Sequence, residues 1–424
     1  MLANSNNKTR RDETPCCSFC DSRDTTEIID FGDVALAGGF LKPEQFDTEL
    51  KYPLRVHFCN DCYAVQVIDK INPQVLFDDY FYFSSSIVTL REHFKEYAIE
   101  VTSRFLEPES STVLEFGCND GILLKPLADQ NVHTVIGVDP ASNVVSKIDD
   151  ARIDVINDFF NEPTAKRVVE EFGKVHMVMA NNVYAHISDI QGITRAVAEV
   201  LDDDGVFVFE VHYLGKVIND MQYDMIYHEH LYYYSLLSAI KHFERYEMTV
   251  FDIKPVPIHG GSMRFYVCKN AGKHASSISF EVTALREEET RLGFHRKETY
   301  KDFASAVAQQ KMELLAMLDK LKHQGFSIAG YGASGRANTM IQYCGIDQSH
   351  LDYMIDDAPA KTGYYTPGSH FLIHPSTVLY EASPPDYLLI FAWSFYDEIA
   401  QRNVKYLDDG GKMIVPLPVV RTVQ

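Results

Sequence analysis

Positive charge is in short supply in this chain of 424 residues: 39 lysines and arginines stand against 60 aspartates and glutamates, a formal net charge of −21. That excludes a general nucleic-acid binder, whose largest favourable term is the neutralisation of phosphates. A local basic pocket for a small anion is not excluded. Long hydrophobic runs are missing too. No stretch stays apolar over the roughly 20 residues of a bilayer crossing, so no membrane role is expected. Residues 1–13 are polar and lack the apolar core of a secretory leader. They are expected to form a disordered tail, and the chain to work in the cytoplasm. There is no repeat of solenoid period and no low-complexity tract.

The chain is too long for one core, so two or three domains are expected. Its most informative stretch is Val113-Leu-Glu-Phe-Gly-Cys-Asn-Asp-Gly-Ile-Leu-Leu124, followed by Val135-Ile-Gly-Val-Asp-Pro140. This reads as a buried strand, a glycine turn, a helix, and a second buried strand ending in an acid. Such a unit is half of a doubly wound α/β sheet, which binds ligands beyond the carboxyl ends of its strands. The turn from Gly117 to Gly121 lacks the Gly-x-Gly-x-x-Gly spacing that admits a pyrophosphate. A ligand with an adenosine, an ammonium and no phosphate suits it, and S-adenosylmethionine is such a ligand. Glu115, Gly117, Asn119 and Gly121 belong to this turn, and Asp139 is placed to accept both ribose hydroxyls. Asp158 follows a third short strand, where it could take the adenine amino group. Asn181 ends the strand expected over 175–180, at the rim. A lone acid after a strand is more often a helix cap than a ligand; four such positions in order carry the reading.

Eight cysteines are present, four of them in two pairs, Cys17-Ser-Phe-Cys20 and Cys59-Asn-Asp-Cys62. Thiolates at that spacing close a tetrahedral zinc site from two knuckle turns, and such a closed site is structural. The alternatives are unrelated buried thiols or disulfides, and disulfides fit poorly with a chain lacking a secretion signal. Cys16 adjoins the first pair and could compete as a ligand. Cys118, Cys268 and Cys344 read as small packed residues.

A helix is expected over 89–105, with apolar residues on one face. Strands over 113–115, 135–138, 175–180 and 206–211, separated by helices, point to a parallel sheet with right-handed crossovers. Two later strands are expected over 249–254 and 262–267, then one long charged helix over 287–323. A second α/β unit follows, with strand, glycine turn and helix over 326–338 and strands over 353–356, 387–392 and 412–416. Its turn, Gly330-Tyr-Gly-Ala-Ser-Gly335, has Asp356 about twenty residues on. It reads as a dinucleotide fingerprint, as a holder of a nucleotide-sugar diphosphate at a helix N-terminus with Arg336 adding charge, or as a turn that binds nothing.

The insertion from Tyr223 to Ser235 contains Tyr227-His228-Glu229-His230, with His186 upstream and His259 downstream. An imidazole can take a proton near neutrality, and a nearby phenol can support a developing oxyanion. The pairing suits proton removal beside a ketone. A metal site or plain surface polarity are the alternatives, although the residues do not follow His-Glu-x-x-His.

Taken in order, these features resemble the nucleotide-sugar C-methyltransferases, which act on a deoxy-4-ketohexose linked to a nucleoside diphosphate. The resemblance spans nearly the whole chain past Pro15. It is carried by the cysteine pairs, the Tyr-x-Tyr-x-Ser-Ser link from Tyr80 to Ser85, and Glu-Phe-Gly-Cys-Asn-Asp-Gly from Glu115 to Gly121. Tyr-His-Glu-His from Tyr227 to His230, His-Gly-Gly-Ser from His259 to Ser262, and Gly-Tyr-Gly-Ala from Gly330 to Ala333 complete it. It implies an α/β fold in three parts: a zinc-binding domain over 1–80, a class I S-adenosylmethionine methyltransferase domain over 81–310 with a doubly wound sheet, and a Rossmann-like domain over 311–424. It also implies methylation at C3 of the sugar, with Tyr227 and His230 as the active-site dyad, Glu229 between them and His186 as a further histidine. By the same resemblance, either Tyr80 or Tyr82 is expected to contact the methyl donor. The expected partner is the sugar nucleotide, and the expected state a monomer. The competing readings are an NAD-dependent nucleotide-sugar oxidoreductase, built on the C-terminal turn, and a zinc-bearing adaptor with an inactive methyltransferase domain.

Overall fold

Short buried runs closed by glycine and asparagine turns give seventeen strands among the described residues. The computed structural model describes residues 15–72, 76, 85 and 88–423; Tyr80 and Tyr82 lie outside them. The N-terminal module supplies β1 (Thr25–Ala35), β2 (Lys51–Cys59) and β3 (Val65–Val67). The middle of the chain supplies β4 (Thr112–Phe116), β5 (Thr134–Val138), β6 (Ile153–Ile156), β7 (Val175–Asn181), β8 (Leu201–His212), β9 (Tyr232–Tyr233), β10 (Met248–Val256) and β11 (Ser262–Lys269). The C-terminal part adds β12 (Ile328–Tyr331), β13 (Tyr353–Asp356), β14 (Ile373–Pro375), β15 (Tyr387–Ile390), β16 (Lys412–Val415) and β17 (Arg421–Val423).

The central sheet has the order β10-β11-β8-β7-β4-β5-β6. Strands β4 to β8 are parallel, and β11 runs antiparallel between β8 and β10. Every residue of β4 is buried. A strand covered on both faces reads as a continuous apolar run, which makes Glu115 within it conspicuous. Strand order reverses between β4 and β7, the switch point where open α/β sheets hold ligands. The C-terminal sheet repeats the scheme with order β14-β13-β12-β15-β16-β17, parallel except for β17, and its reversal at β12.

The single helix expected over 287–323 is two, Phe280–Leu292 and Lys297–His323. Gly293 takes φ +78 and ends the first helix. The N–H of Phe294 returns to the Glu289 carbonyl at 2.9 Å, and the Phe294 side chain is buried. This is a left-handed glycine stop with its accompanying apolar contact, which charge periodicity alone does not reveal. Among the described residues, no helix is long and apolar enough to cross a membrane.

In the N-terminal module the sulfurs of Cys17, Cys20, Cys59 and Cys62 all lie within 4.8 Å of one another. Cys17 and Cys62 are 3.5 Å apart and Cys20 and Cys59 3.6 Å. These separations are far from a disulfide bond of about 2.05 Å. They match the edge, about 3.8 Å, of a tetrahedron with Zn–S bonds of about 2.3 Å. Gln66 Nε2 and the Phe19 N–H donate to Cys17 Sγ at 3.1 and 3.4 Å, as outer donors around a metal thiolate do. Cys16 is exposed, with its thiol turned to the Asp21 carbonyl, which excludes it as the competing ligand. The four thiols therefore fit a structural zinc ion.

The module does not finish its own sheet. Its fourth strand is β9, paired antiparallel to β3 through Val65–Tyr233 and Gln66–Tyr232. Phe19, inside the first knuckle, packs on Tyr232, Tyr234 and His242 with ring centroids 5.1, 5.5 and 4.6 Å away. The zinc site thus supports the segment that carries Tyr227 to His230. The purified protein is expected to hold about one zinc per chain, and Cys59→Ala almost none, by elemental analysis. Stripping the metal should lower Tm; a metal-free protein with unchanged Tm would contradict a structural ion.

Candidate functional site

Beyond the carboxyl end of β4, the turn from Gly117 to Gly121 runs beneath the end of β7. Gly117 has φ +66, and a Cβ there would stand 2.7 Å from Val183 Cγ2, so the turn admits only glycine at this contact. Glu115 Oε1 accepts from Asn181 Nδ2 at 2.9 Å. Among the described residues nothing pairs with Glu115 Oε2, Asn181 Oδ1 or Asp120 Oδ1, all buried. Burial pushes the Glu115 carboxyl up to about 8; the charges of Asp139 and Asp120 push the same way, and the Asn181 hydrogen bond opposes them. Buried acceptors that lack donors are costly. A ligand ammonium supplies both the charge and the N–H groups these oxygens lack, so the residues fit the amino-acid end of S-adenosylmethionine.

Asp139, at the end of β5, accepts from the Asn119 N–H at 3.0 Å and the Ala141 N–H at 2.9 Å, one on each oxygen. These two bonds orient the carboxylate and leave each oxygen a further lone pair for a diol. Burial raises its pKa. Asn119 itself has φ +51, a conformation asparagine tolerates. Asp158 lies beyond β6, exposed, its carboxylate accepting from the Phe159 N–H at 2.7 Å.

The second half of the site is the loop before β9. His230 Nδ1 lies 2.8 Å from the Met225 carbonyl oxygen. A carbonyl only accepts, so the neutral ring carries its hydrogen on Nδ1 and leaves Nε2 as the basic nitrogen. The Tyr227 ring stands 4.0 Å from the His230 ring and the His186 ring 5.0 Å. Burial drives the His230 pKa well below the ordinary value, with His186, His212 and His259 adding to the shift, while the Met225 hydrogen bond opposes it. Burial alone takes His186 down to about 4. Both rings are therefore neutral at pH 7. Burial pushes Glu229 the other way, up to about 7; its Oε1 is 4.0 Å from where a Cβ on Gly38 would stand. His228 faces the zinc module, its Nε2 3.1 Å from the Pro53 carbonyl, and is a packing residue.

Loop 181–186 joins the two halves. Asn181 meets Glu115, Val183 covers Gly117, and His186 packs on His230. The C-terminal domain closes the third side: a Cβ on Gly335 would be 3.7 Å from the Tyr227 ring and 3.2 Å from Ala37 of the zinc module. In its glycine turn, Gly332 takes φ +94 and Ser334 caps the helix Gly335–Cys344. Asp356 is held by Lys361 Nζ at 3.0 Å and the Ala358 N–H at 2.8 Å. Arg336, read from sequence as a charge for a diphosphate, is committed to Asp224 at 2.9 Å.

Sequence reasoning overlooked Asp120, although it lies within the quoted turn motif, and also His212, Gln222 and Asp224. Gln222 Nε2 donates to the Gly260 carbonyl at 2.8 Å, so its Oε1 faces His212 Nε2, 3.0 Å away. Only the density of polar residues around 222–230 hinted at this in the sequence.

Three family models match in series: a candidate zinc binding domain over 17–77, a methyltransferase domain over 90–253, and a C-methyltransferase C-terminal domain over 257–418. The chain is 30% identical to the C-methyltransferase NovU of Streptomyces niveus over 408 residues, 96% of each protein. A ubiquinone biosynthesis O-methyltransferase of Azorhizobium caulinodans matches at 29% identity over 25% of this chain and 42% of that protein. Among solved structures, a magnesium protoporphyrin IX methyltransferase from Synechocystis is similar at 12% identity and TM-score 0.34, over 46% of this chain and 91% of that one. With zinc-binding, methyltransferase and C-methyltransferase units in one order along almost the full length of a relative, the chain belongs to the C-methyltransferase family and is an S-adenosylmethionine-dependent C-methyltransferase.

Proposed function

We propose that the enzyme methylates C3 of a nucleotide-linked 4-keto-deoxyhexose through an enolate, a step in making branched-chain deoxysugars. The observation that carries this reading is loop 181–186, which puts the acid pocket under Glu115 and the neutral His230 against one stretch of backbone. When bound, S-adenosylmethionine supplies a methyl group that is electrophilic at carbon. Glu115, Asp120 and Asn181 would hold its ammonium end, Asp139 its ribose and Asp158 its adenine. Gly117, Asn119 and Gly121 would form the turn against it, and Tyr80 or Tyr82, outside the described residues, would be the link tyrosine that the family resemblance assigns to it.

A C–H bond beside a ketone breaks only if the resulting enolate is stabilised. His230 Nε2 takes the proton from C3, the electron pair delocalises toward the C4 oxygen, and the Tyr227 phenol supports the charge there. The C3 carbanion would take the methyl carbon as its bond to the donor's sulfur breaks, the electron pair staying on sulfur and the neutral thioether leaving, while His230 keeps the proton as imidazolium. The Met225 carbonyl stabilises that cation through Nδ1–H. His186, itself neutral, lines the pocket without opposing it at pH 7. Glu229, holding a proton near neutrality, can donate to a sugar oxygen. The C-terminal glycine turn takes the diphosphate end of the substrate. A nicotinamide dinucleotide at that turn would need Asp356 for its ribose, and Lys361 already holds this carboxylate. In this reading the enzyme is a cytoplasmic monomer.

Incubated with S-adenosylmethionine and a 4-keto-6-deoxy sugar nucleotide, the enzyme is expected to give a product heavier by one methyl group in place of hydrogen, detected by mass spectrometry; unchanged sugar would refute the substrate class. Removing a general base typically costs about 10²–10⁴ in rate. His230→Ala should lose that much turnover while its S-adenosylmethionine affinity, measured by calorimetry, stays intact. The base works unprotonated, and burial lowers its pKa from 6.5, so the acid limb of kcat/KM should fall below pH 6.5. That limb should persist in Glu229→Gln; a limb near pH 7 that vanishes in this variant would make Glu229 the base. Glu115→Gln removes a charged hydrogen-bond acceptor, typically worth about 1.5–3 kcal/mol, and should weaken S-adenosylmethionine binding about 10- to 100-fold.

A further inference from the structure

Three consecutive residues at the start of the catalytic loop divide their bonds in a telling way. Asp224, in the 3-10 turn Tyr223–Met225, has no solvent exposure. Its Oδ2 accepts from Arg336 Nε at 2.9 Å and Trp393 Nε1 at 2.9 Å, and its Oδ1 accepts from Arg336 Nη2 at 3.1 Å. The guanidinium also lies over the Trp393 ring, 5.0 Å from its centroid. The next carbonyl, Met225, accepts from His230 Nδ1 at 2.8 Å and from the Tyr233 hydroxyl at 3.3 Å. The one after that, Ile226, accepts from Thr339 Oγ1 at 2.9 Å. Arg336 and Thr339 are three residues apart on the helix Gly335–Cys344, and therefore share a face. Trp393 follows β15 of the same domain.

We propose that the Asp224–Arg336 ion pair is a positioning device through which the C-terminal domain sets the tautomer and direction of the His230 ring. This rests on His230 being the base. The C-terminal helix pins the residues on both sides of Met225, so the Met225 carbonyl cannot swing away from His230 Nδ1. Without that acceptor the ring is free to carry its hydrogen on Nε2, where it can take no proton from carbon. A stability role alone accounts poorly for the pair, because well-packed apolar residues often replace a buried ion pair at no loss of stability. A planar fork gripping a carboxylate at two points does fix direction. The packing of this domain and the alignment of the base are then one constraint: the domain that lies against Tyr227 also holds the base in its working form.

The test uses the zinc-loaded full chain and compares Asp224→Asn, Arg336→Lys and His230→Ala. Misalignment at a reacting centre costs on the order of 10²-fold; Asp224→Asn should lose about that in kcat while retaining S-adenosylmethionine affinity. Its acid limb should move to lower pH, because the Met225 bond is what raises the basicity of His230. The titratable groups facing this ring are His186, His212 and His259, with the Tyr227 ring tilted beside it and Glu229 adjacent in the chain; none of them is substituted, and the cation at position 336 that bears on His212 and His259 is kept in every variant. Arg336→Lys keeps the charge but not the fork, and should fall between the wild type and Asp224→Asn in both readouts. Trp393 is the chain's one tryptophan, and its emission should shift to longer wavelength in Asp224→Asn. If His230→Ala is inactive while Asp224→Asn keeps the wild-type kcat and acid limb, the positioning proposal is overturned and the base assignment stands. If His230→Ala is active, the base assignment fails first. Should Asp224→Asn not fold, Arg336→Lys decides: a lowered kcat with a displaced limb supports the proposal, and wild-type values overturn it.

Discussion

The structure depends on how the backbone of residues 223–235 satisfies its polar groups. This stretch has two residues of strand and one short 3-10 turn, too little to saturate itself. Buried N–H and C=O groups must find partners somewhere, and these find them in three different units. The Leu231 N–H goes to the Ala185 carbonyl of the methyltransferase rim, and the Leu231 carbonyl to the Val67 N–H of the zinc module. The Leu214 N–H takes the Tyr234 carbonyl, and Thr339 takes that of Ile226. No unit can shift without leaving one of these groups unpaired, so the loop and the site it carries have a defined geometry only when all three units are assembled.

The electrostatics follow from the same enclosure. A chain carrying twenty-one excess negative charges keeps its proposed catalytic centre almost free of formal charge. The imidazoles of His186, His212 and His230 are neutral because burial disfavours their cations. Across the shared loop the balance is opposite. Glu115, Asp120 and Asp139 crowd together, and their mutual repulsion helps to raise the Glu115 pKa. One half of the site favours a cation and the other a neutral base. That division matches a reaction in which a positively charged donor meets a carbon that must first lose a proton.

What could be read from the sequence was local, and what could not was pairing across distance. The strand–turn–strand unit around Glu115 and Asp139 was legible because apolar runs and positive-φ glycines leave their mark within a few residues. The cysteine pairs were legible for the same reason: two knuckles carry their own spacing. In the C-terminal sheet β13, β15 and β16 were placed to within a residue or two, whereas the three-residue parallel strand β14 was missed. The stop at Gly293 was not legible, because charged residues continue on both sides of it. Nor was β1, where Asp30-Phe-Gly-Asp33 interrupts alternation at a bulge. Strand β9 was invisible, since two residues carry no period and the residues they pair with lie 166 and 168 positions away. Arg336 shows the limit most plainly: placed just inside a helix after a glycine turn, it reads as a phosphate ligand, and only the fold reveals that a buried aspartate takes it first.

The borrowed strand has a consequence for handling the protein in pieces. The first eighty residues look from their cysteines like an autonomous metal-binding unit, yet β3 is an edge whose hydrogen-bonding groups are met by a segment encoded far downstream. Cut free, that unit would keep its ion and expose an unpaired, largely apolar ribbon, the feature that drives sheets to add to one another. Excised fragments should therefore self-associate, and shuffling this unit between relatives requires the matching tyrosine ribbon to travel with it.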